Sequence, residues 1–148
     1  MIPKHYTGNI TPSRKTIFVF GSNPEGIHGA GAARVAVDSF GAILGQGEGL
    51  QGYAYALPTK DLRVKENYGY RSISPKKITE SIQKLYTTAI SHPHLEFKVA
   101  YRNTVSTSLN GYTGIEMIEM FKAAGKIPEN IIFSREWVKT GRFESEEI

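Results

Sequence analysis

The chain contains no cysteine, which excludes a disulfide framework, thiol chemistry and a thiolate metal site. No apolar run reaches the roughly 18–20 residues that a membrane span requires. The opening segment MIPKHYTGNI lacks the apolar stretch of a signal peptide. A protein of the cytoplasm, without a membrane, a metal or a cofactor, is the simplest expectation. Nucleotide motifs are missing too. No Gly-Lys-Ser/Thr triplet occurs, so there is no P-loop. A dinucleotide fingerprint needs a small residue where Arg34 stands, and its first glycine follows the strand directly. Here eight residues separate Phe20 from Gly29, so a Rossmann oxidoreductase is not expected. Aspartate is scarce, with only Asp38 and Asp61.

What is present suits a single domain. Of 148 residues, 40% are hydrophobic and 22% charged, ordinary values for a chain that buries a core. Residues 1–143 are expected to form that domain and 144–148 a mobile acidic tail within RFESEEI. The net charge is +4, and residues 60–84 account for it, with seven Lys/Arg against Asp61, Glu66 and Glu80. Tyr68 and Tyr70 lie inside this basic stretch, which makes nucleic acid one candidate partner. A solvated loop and a polar helix face account for it more simply.

Strand and helix patterns alternate along the chain. IPKHYT (2–7), TIFVF (16–20), YAYALP (53–58), FKVAYR (97–102) and NIIFS (130–134) read as strands. Ala30–Phe40 reads as a helix closed by Gly41, with Val35, Ala36 and Phe40 toward the core. Ser74-Pro75 starts another, with Ile78, Ile82, Leu85 and Ala89 on one face and Pro93 beyond its end. Thr113 and Glu116 have capping-box spacing at the head of a third, which runs through Ile115, Ile118 and Phe121 to Gly125. Residues 41–52 carry five glycines and read as loop or bulged strand. The fold class is α/β, with helices flanking a mixed, largely parallel sheet.

Two polar, glycine- and serine-rich loops, 21–29 and 103–112, each follow a strand and precede a helix. Ligands of such sheets gather at the carboxyl ends of strands, and a helix start with unpaired N–H groups suits a phosphate. Gly29, Ala30 and Gly31 let a backbone close on such a group. Ser106, Thr107 and Ser108 offer hydroxyls, and Leu109, Asn110 and Gly111 offer amides nearby. Two helix starts side by side would suit a diphosphate.

Four segments in order resemble the macrodomains, a family of ADP-ribose-binding modules. Gly8-Asn9-Ile10-Thr11 resembles their Gly-Asp-Ile-Thr turn, and GSNPEGIHGAGAA their first ligand loop. GLQGYAYALPTK resembles their Gly-Tyr-x-Leu-Pro strand entry, and STSLNGYTG stands at their phosphate loop. Phe20 stands where the family has an asparagine, Ser108 replaces a glycine, and Asn110 replaces an aromatic residue. The resemblance spans residues 6–124 and implies a three-layer fold with ADP-ribose, or a close derivative, across the loops. It implies Asn9 and Ile10 at the adenine, and Gly21, Ser22 and Asn23 along the first loop, with Asn23 at the distal ribose. The diphosphate would lie between residues 29–31 and 106–112, with Tyr112 stacked on the distal ribose.

The family includes binders without activity, hydrolases that remove ADP-ribose, and phosphatases acting on ADP-ribose 1″-phosphate. His28, alone of four histidines, lies in a ligand loop; its ordinary pKa near 6.5 suits general acid–base work. Asp61, at a strand end, is its expected partner and Glu25 the weaker choice, so Asn23, His28 and Asp61 are the candidate catalytic residues. His92-Pro93-His94 reads as a helix stop. Three readings follow for a monomeric protein: an ADP-ribose phosphatase or hydrolase, a non-catalytic ADP-ribose-binding module, and a nucleic-acid binder through residues 60–84.

Overall fold

The computed structural model describes residues 4–143; the expected mobile tail, 144–148, lies outside them. β2 (Thr16–Ser22) takes the middle of the sheet, because nearly every side chain along TIFVFGS is buried. A strand apolar on both faces must be covered on both. Ile17 and Val19 point into one apolar cluster, while Phe18 and Phe20 point into another. β4 (Ala54–Pro58), buried throughout, pairs parallel to β2 on one side. β5 (Glu96–Val99) pairs parallel to it on the other. β6 (Ile131–Ser134) and the two-residue β1 (His5–Tyr6) continue the parallel set. β3 (Gly49–Gln51) runs antiparallel at the far edge. The order across six strands is β1-β6-β5-β2-β4-β3.

The helices divide between the two faces. α1 (Gly31–Phe40) covers the face of Phe18 and Phe20 with Ala36 and Phe40. α2 (Pro75–Ser91), α3 (Gly114–Ala123) and α4 (Arg135–Thr140) cover the other, where the larger core lies. Ile78, Ile82, Leu85 and Ala89 are fully buried, as their spacing predicts, and truncating one of the large ones to alanine costs about 2–5 kcal/mol. Trp137 of α4, fully buried, packs its ring near Phe121, Phe133 and Tyr101.

Capping distinguishes the helix starts. Ser74 accepts from Lys77 N at the head of α2, and Ser134 accepts from Trp137 N at the head of α4. Thr113 and Glu116 form the expected capping box on α3. α1 begins after Ala30, with no side-chain cap and no acidic residue in its first turn. Gly41 ends α1 in the left-handed conformation.

One expectation is corrected. Val35 is 44% exposed. In α1 the buried stripe is Ala36 and Phe40, one position round from Val35. In α3, Met117, Ile118, Met120 and Phe121 fill the core and Ile115 is 43% exposed. Phe143, the last residue of the expected domain, is 5% exposed and stacks on Phe133, with the Lys122 ammonium over its ring. Within 41–52, β3 is the strand hidden among the glycines.

Candidate functional site

β2 passes the chain to α1 on one face, and its neighbour β5 passes it to α3 on the other. A crevice opens where adjacent parallel strands send their connections to opposite sides. Here it is a cleft of about 620 Å³ at the carboxyl ends of β2, β4 and β5. Ile27, Gly29, Ala30 and the first-turn residues Ala32 and Ala33 form one wall. Thr107, Ser108, Leu109 and Asn110 form the opposite wall, and Gly21, Ser22, Asn23, Thr59, Ala100, Tyr101 and Asn103 the floor. Lys60, Leu62 and Tyr70 complete the rim, with the Lys60 ammonium 5.2 Å from the centre of the Tyr70 ring. Lys60 is the one charged residue in this lining.

The first loop is held by its own side chains. Asn23 Nδ2 donates to the Ile27 carbonyl at 2.8 Å, and the Ile27 amide returns a bond to Asn23 Oδ1 at 2.9 Å. Asn23 lines the cleft, yet its amide braces the turn. His28 is 2% exposed and turned inward. Its Nε2 lies 3.1 Å from the Gln46 carbonyl and its ring meets Phe20 edge to face at 5.1 Å. Nδ1 is buried with no hydrogen-bond partner. His28 is not among the cleft-lining residues. The glycine-rich segment is the buttress behind this loop. A Cβ on Gly47 would stand 2.2 Å from the Asn23 carbonyl, so backbone lies directly on backbone there.

Asp61 faces Arg63 rather than the cleft. Arg63 donates to it from Nε at 3.0 Å and Nη2 at 2.9 Å, and also reaches Glu25 at 3.3 Å. The hydrogen bonds from Arg63 hold the Asp61 carboxyl down at about 2. His28 and Asp61 therefore have separate partners, and Glu25 joins Asp61 rather than His28. Asp38 pairs with Arg34 on the exposed side of α1.

The second loop folds on itself. Ser108 N donates to the Tyr112 carbonyl at 2.9 Å and Gly111 N to the Ser108 carbonyl at 3.0 Å. Asn110, 3% exposed, accepts from the Tyr112 amide at 2.9 Å and from the Ser108 hydroxyl. Tyr112 is buried, its hydroxyl donating to the Ile73 carbonyl at 2.8 Å and its ring lying under Arg71. Gly111 packs against Tyr70 and Arg71, where a Cβ would come within 2.6 Å of Tyr70. Ser106 is exposed and takes a bond from Asn103.

The expectation of two open helix starts is corrected. In α3 the amide of Glu116 donates to Thr113, that of Ile115 to the Thr104 carbonyl, and the Glu116 carboxylate occupies the first turn. The first-turn amides of α1 alone face the cleft without a side-chain cap. Leu109 extends toward this start from the opposite wall, 3.6 Å from where a Cβ on Gly31 would stand.

Of the expected ligand residues, Gly21, Ser22, Asn23, Gly29, Ala30, Thr107, Ser108, Leu109 and Asn110 line one cleft. Asn9, Ile10, Gly31, Ser106, Gly111 and Tyr112 are outside its lining. Ile10 packs on the α1-side core together with Ala32, Ala33 and Ala100, and Asn9 is exposed beside it. The lining residues that sequence reasoning did not name as ligand residues are Ile27, Ala32, Ala33, Thr59, Lys60, Leu62, Tyr70, Ala100, Tyr101 and Asn103. Thr59 directly follows the strand pattern 53–58 and Tyr101 lies near the end of the pattern 97–102, and a place at a strand end is the signal that marks them.

Three of the seven basic residues of 60–84 have carboxylate partners. Arg63 is held by Asp61 and Glu25, Arg71 by Glu116 at 2.7 Å, and Lys84 by Glu48 at 3.7 Å. Among the described residues no group of three or more His, Asp or Glu is placed to hold a metal, and no helix is long and apolar enough to cross a membrane. Comparison with protein-family models and with curated proteins gives no match for this chain.

Proposed function

We propose that the cleft binds ADP-ribose or a close derivative, with its diphosphate at the start of α1, in the manner of the macrodomains that the sequence resembles. The observation that carries this reading is the uncapped start of α1, free of acidic residues, opening into the cleft opposite the hydroxyl-bearing wall of Thr107 and Ser108. Such a helix start favours an anion by about 0.3–1 kcal/mol when exposed and up to ~2 kcal/mol when partly buried. Lys60 adds a positive charge in a lining without carboxylates, and a cleft of about 620 Å³ is within the range of small-molecule sites.

Binding without turnover is the form of this reading that the geometry supports best. Asn23 braces its own loop, His28 faces Gln46, and Asp61 is held by Arg63. A second reading, hydrolysis of a phosphate or ADP-ribosyl bond, has one specific observation in its favour: His28 Nδ1, a protonatable nitrogen under the ligand loop, has no partner. The nucleic-acid reading is the weaker alternative, because Arg63 and Arg71 already have carboxylate partners.

Calorimetric titration with ADP-ribose, ADP and AMP tests the binding reading. Preference for ADP-ribose is the expected result, and absence of binding by all three would sink it. Phosphate release from ADP-ribose 1″-phosphate by the same preparation would replace the binder with the phosphatase.

A further inference from the structure

Thr59 and Tyr101 close the ends of β4 and β5 on either side of β2. Their hydroxyls meet at 2.8 Å across the cleft floor. Gly21, between them, makes the meeting possible, since a Cβ there would lie 2.1 Å from the Tyr101 hydroxyl. Neither residue is required by the cores above and below the sheet to carry a hydroxyl. The ring of Tyr101 stacks on Trp137 at 5.9 Å, a contact that phenylalanine makes equally well.

Either hydroxyl can donate in this bond, and in both arrangements the pair keeps one O–H donor free. Asn110 Oδ1 already accepts from the Tyr112 amide and the Ser108 hydroxyl. Its NH2 donates to Met117 Sδ at 3.5 Å, so Asn110 has only an N–H to offer a further neighbour. With Tyr101 donating to Thr59 Oγ1, the proton left free is that of Thr59. Thr59, 2% exposed and in the cleft lining, is left with one O–H donor aimed at whatever fills the cleft. Burial pushes the Tyr101 phenol up to about 12, so the chain stays fully protonated through the physiological range.

We propose that Thr59, aligned by Tyr101, donates a hydrogen bond to an oxygen of the sugar that follows the diphosphate, and so makes the cleft select a ribosylated diphosphate over a plain nucleoside diphosphate. Thr59 is the contacting residue and Tyr101 the positioning residue. The inference rests on the ADP-ribose reading above and assigns its sugar selectivity to two residues outside both ligand loops.

ADP-ribose and ADP are titrated calorimetrically into the wild type, Thr59→Val, Thr59→Ser and Tyr101→Phe, with melting curves for each. Thr59→Val is expected to lose affinity for ADP-ribose by about ten-fold while affinity for ADP holds within about two-fold. Thr59→Ser, which keeps the donor, retains the wild-type ratio. Tyr101→Phe shifts the ratio in the same direction as Thr59→Val with its fold intact. An unchanged ADP-ribose to ADP ratio in both Thr59→Val and Tyr101→Phe overturns the inference and leaves the binding reading standing. A wild type that binds neither ligand overturns both. Should Thr59→Val fail to fold, the ratio in Tyr101→Phe decides alone.

Discussion

Arg63 grips Asp61 through two of its three side-chain nitrogens, 3.0 Å from Nε and 2.9 Å from Nη2, and draws Glu25 to the same guanidinium at 3.3 Å. This cluster, with Arg63 exposed and the two acids partly buried, joins the loop after β2 to the loop after β4. Its contribution to stability is small, as for other solvated ion pairs. Its importance is chemical, because it gives both acidic residues near the first loop a partner away from the cleft.

The pH dependence of Asp61 follows. Its folded-state pKa is depressed to about 2 from 3.8. A depressed carboxylate contributes stability above its unfolded-state pKa, and that contribution is lost as pH falls through the folded value. The cluster should therefore persist well below pH 4. Following the Asp61 carboxyl carbon by NMR checks this, with a midpoint near 2 expected in the folded protein. A midpoint near 4 would show that Arg63 does not hold Asp61 in solution. Asp61→Asn should leave ADP-ribose affinity unchanged in the same experiments.

Gly21 and Gly29 separate two reasons for glycine in one ligand loop. A Cβ on Gly21 collides with the Tyr101 hydroxyl, while a Cβ on Gly29 meets nothing within 4 Å. Gly21→Ala should destabilise by about 1–3 kcal/mol through overpacking. Gly29→Ala should stay within about 0.5 kcal/mol of the wild type. Thermal melting of the pair reads the difference directly. Equal effects would mean that Tyr101 moves aside without cost.

Much of this architecture was legible in the sequence because it rests on short-range rules. Ser74-Pro75, the Thr113–Glu116 box and Gly41 mark helix ends through local hydrogen bonding and backbone conformation, and the structure places helix ends there. The stripe Ile78, Ile82, Leu85 and Ala89 follows from helical period alone. The site was legible as two loops but not as a cleft. The Thr113–Glu116 box was legible, but its consequence, that α3 has no open start for an anion, was not drawn from it, and loop composition does not reveal that Tyr112 turns into the core to reach Ile73. The five glycines of 41–52 carried a signal that composition could not decode. Gly47 packs on Asn23, a contact between residues 24 apart that no local pattern encodes. α4 was overlooked for a similar reason, since its six residues are too few to show a helical period.

His28 gives a prediction in which structural and catalytic roles diverge. His28→Ala leaves the Gln46 carbonyl with Gln51 Nε2 as its side-chain partner and opens space beside Phe20. The expected result is a stability loss of about 1–3 kcal/mol, seen in denaturant unfolding. Any weakening of ADP-ribose binding should track the loosening of residues 24–29. Loss of measurable phosphate release with unchanged affinity and stability would instead make His28 the general acid or base.

The bare start of α1 yields the most discriminating substitution, because stability and binding should move in opposite directions. Ala30 is extended, at φ −153° and ψ 162°, as a helix-capping residue must be, yet its side chain caps nothing. Ala30→Asp supplies an oxygen for the first-turn amides and a negative charge at the positive end of the helix. The helix should gain about 0.5–2 kcal/mol. The same carboxylate occupies the amides proposed for the diphosphate and repels its charge, so affinity for ADP-ribose and ADP should fall by at least about ten-fold. Melting and calorimetry on one preparation read both signs. A more stable protein that binds as tightly as before would place the diphosphate elsewhere, and a less stable one would mean that the aspartate does not adopt the capping geometry. Ala30→Asn separates the two components: it caps without charge, so it should keep most of the stability gain and lose affinity only as far as it competes for the amides.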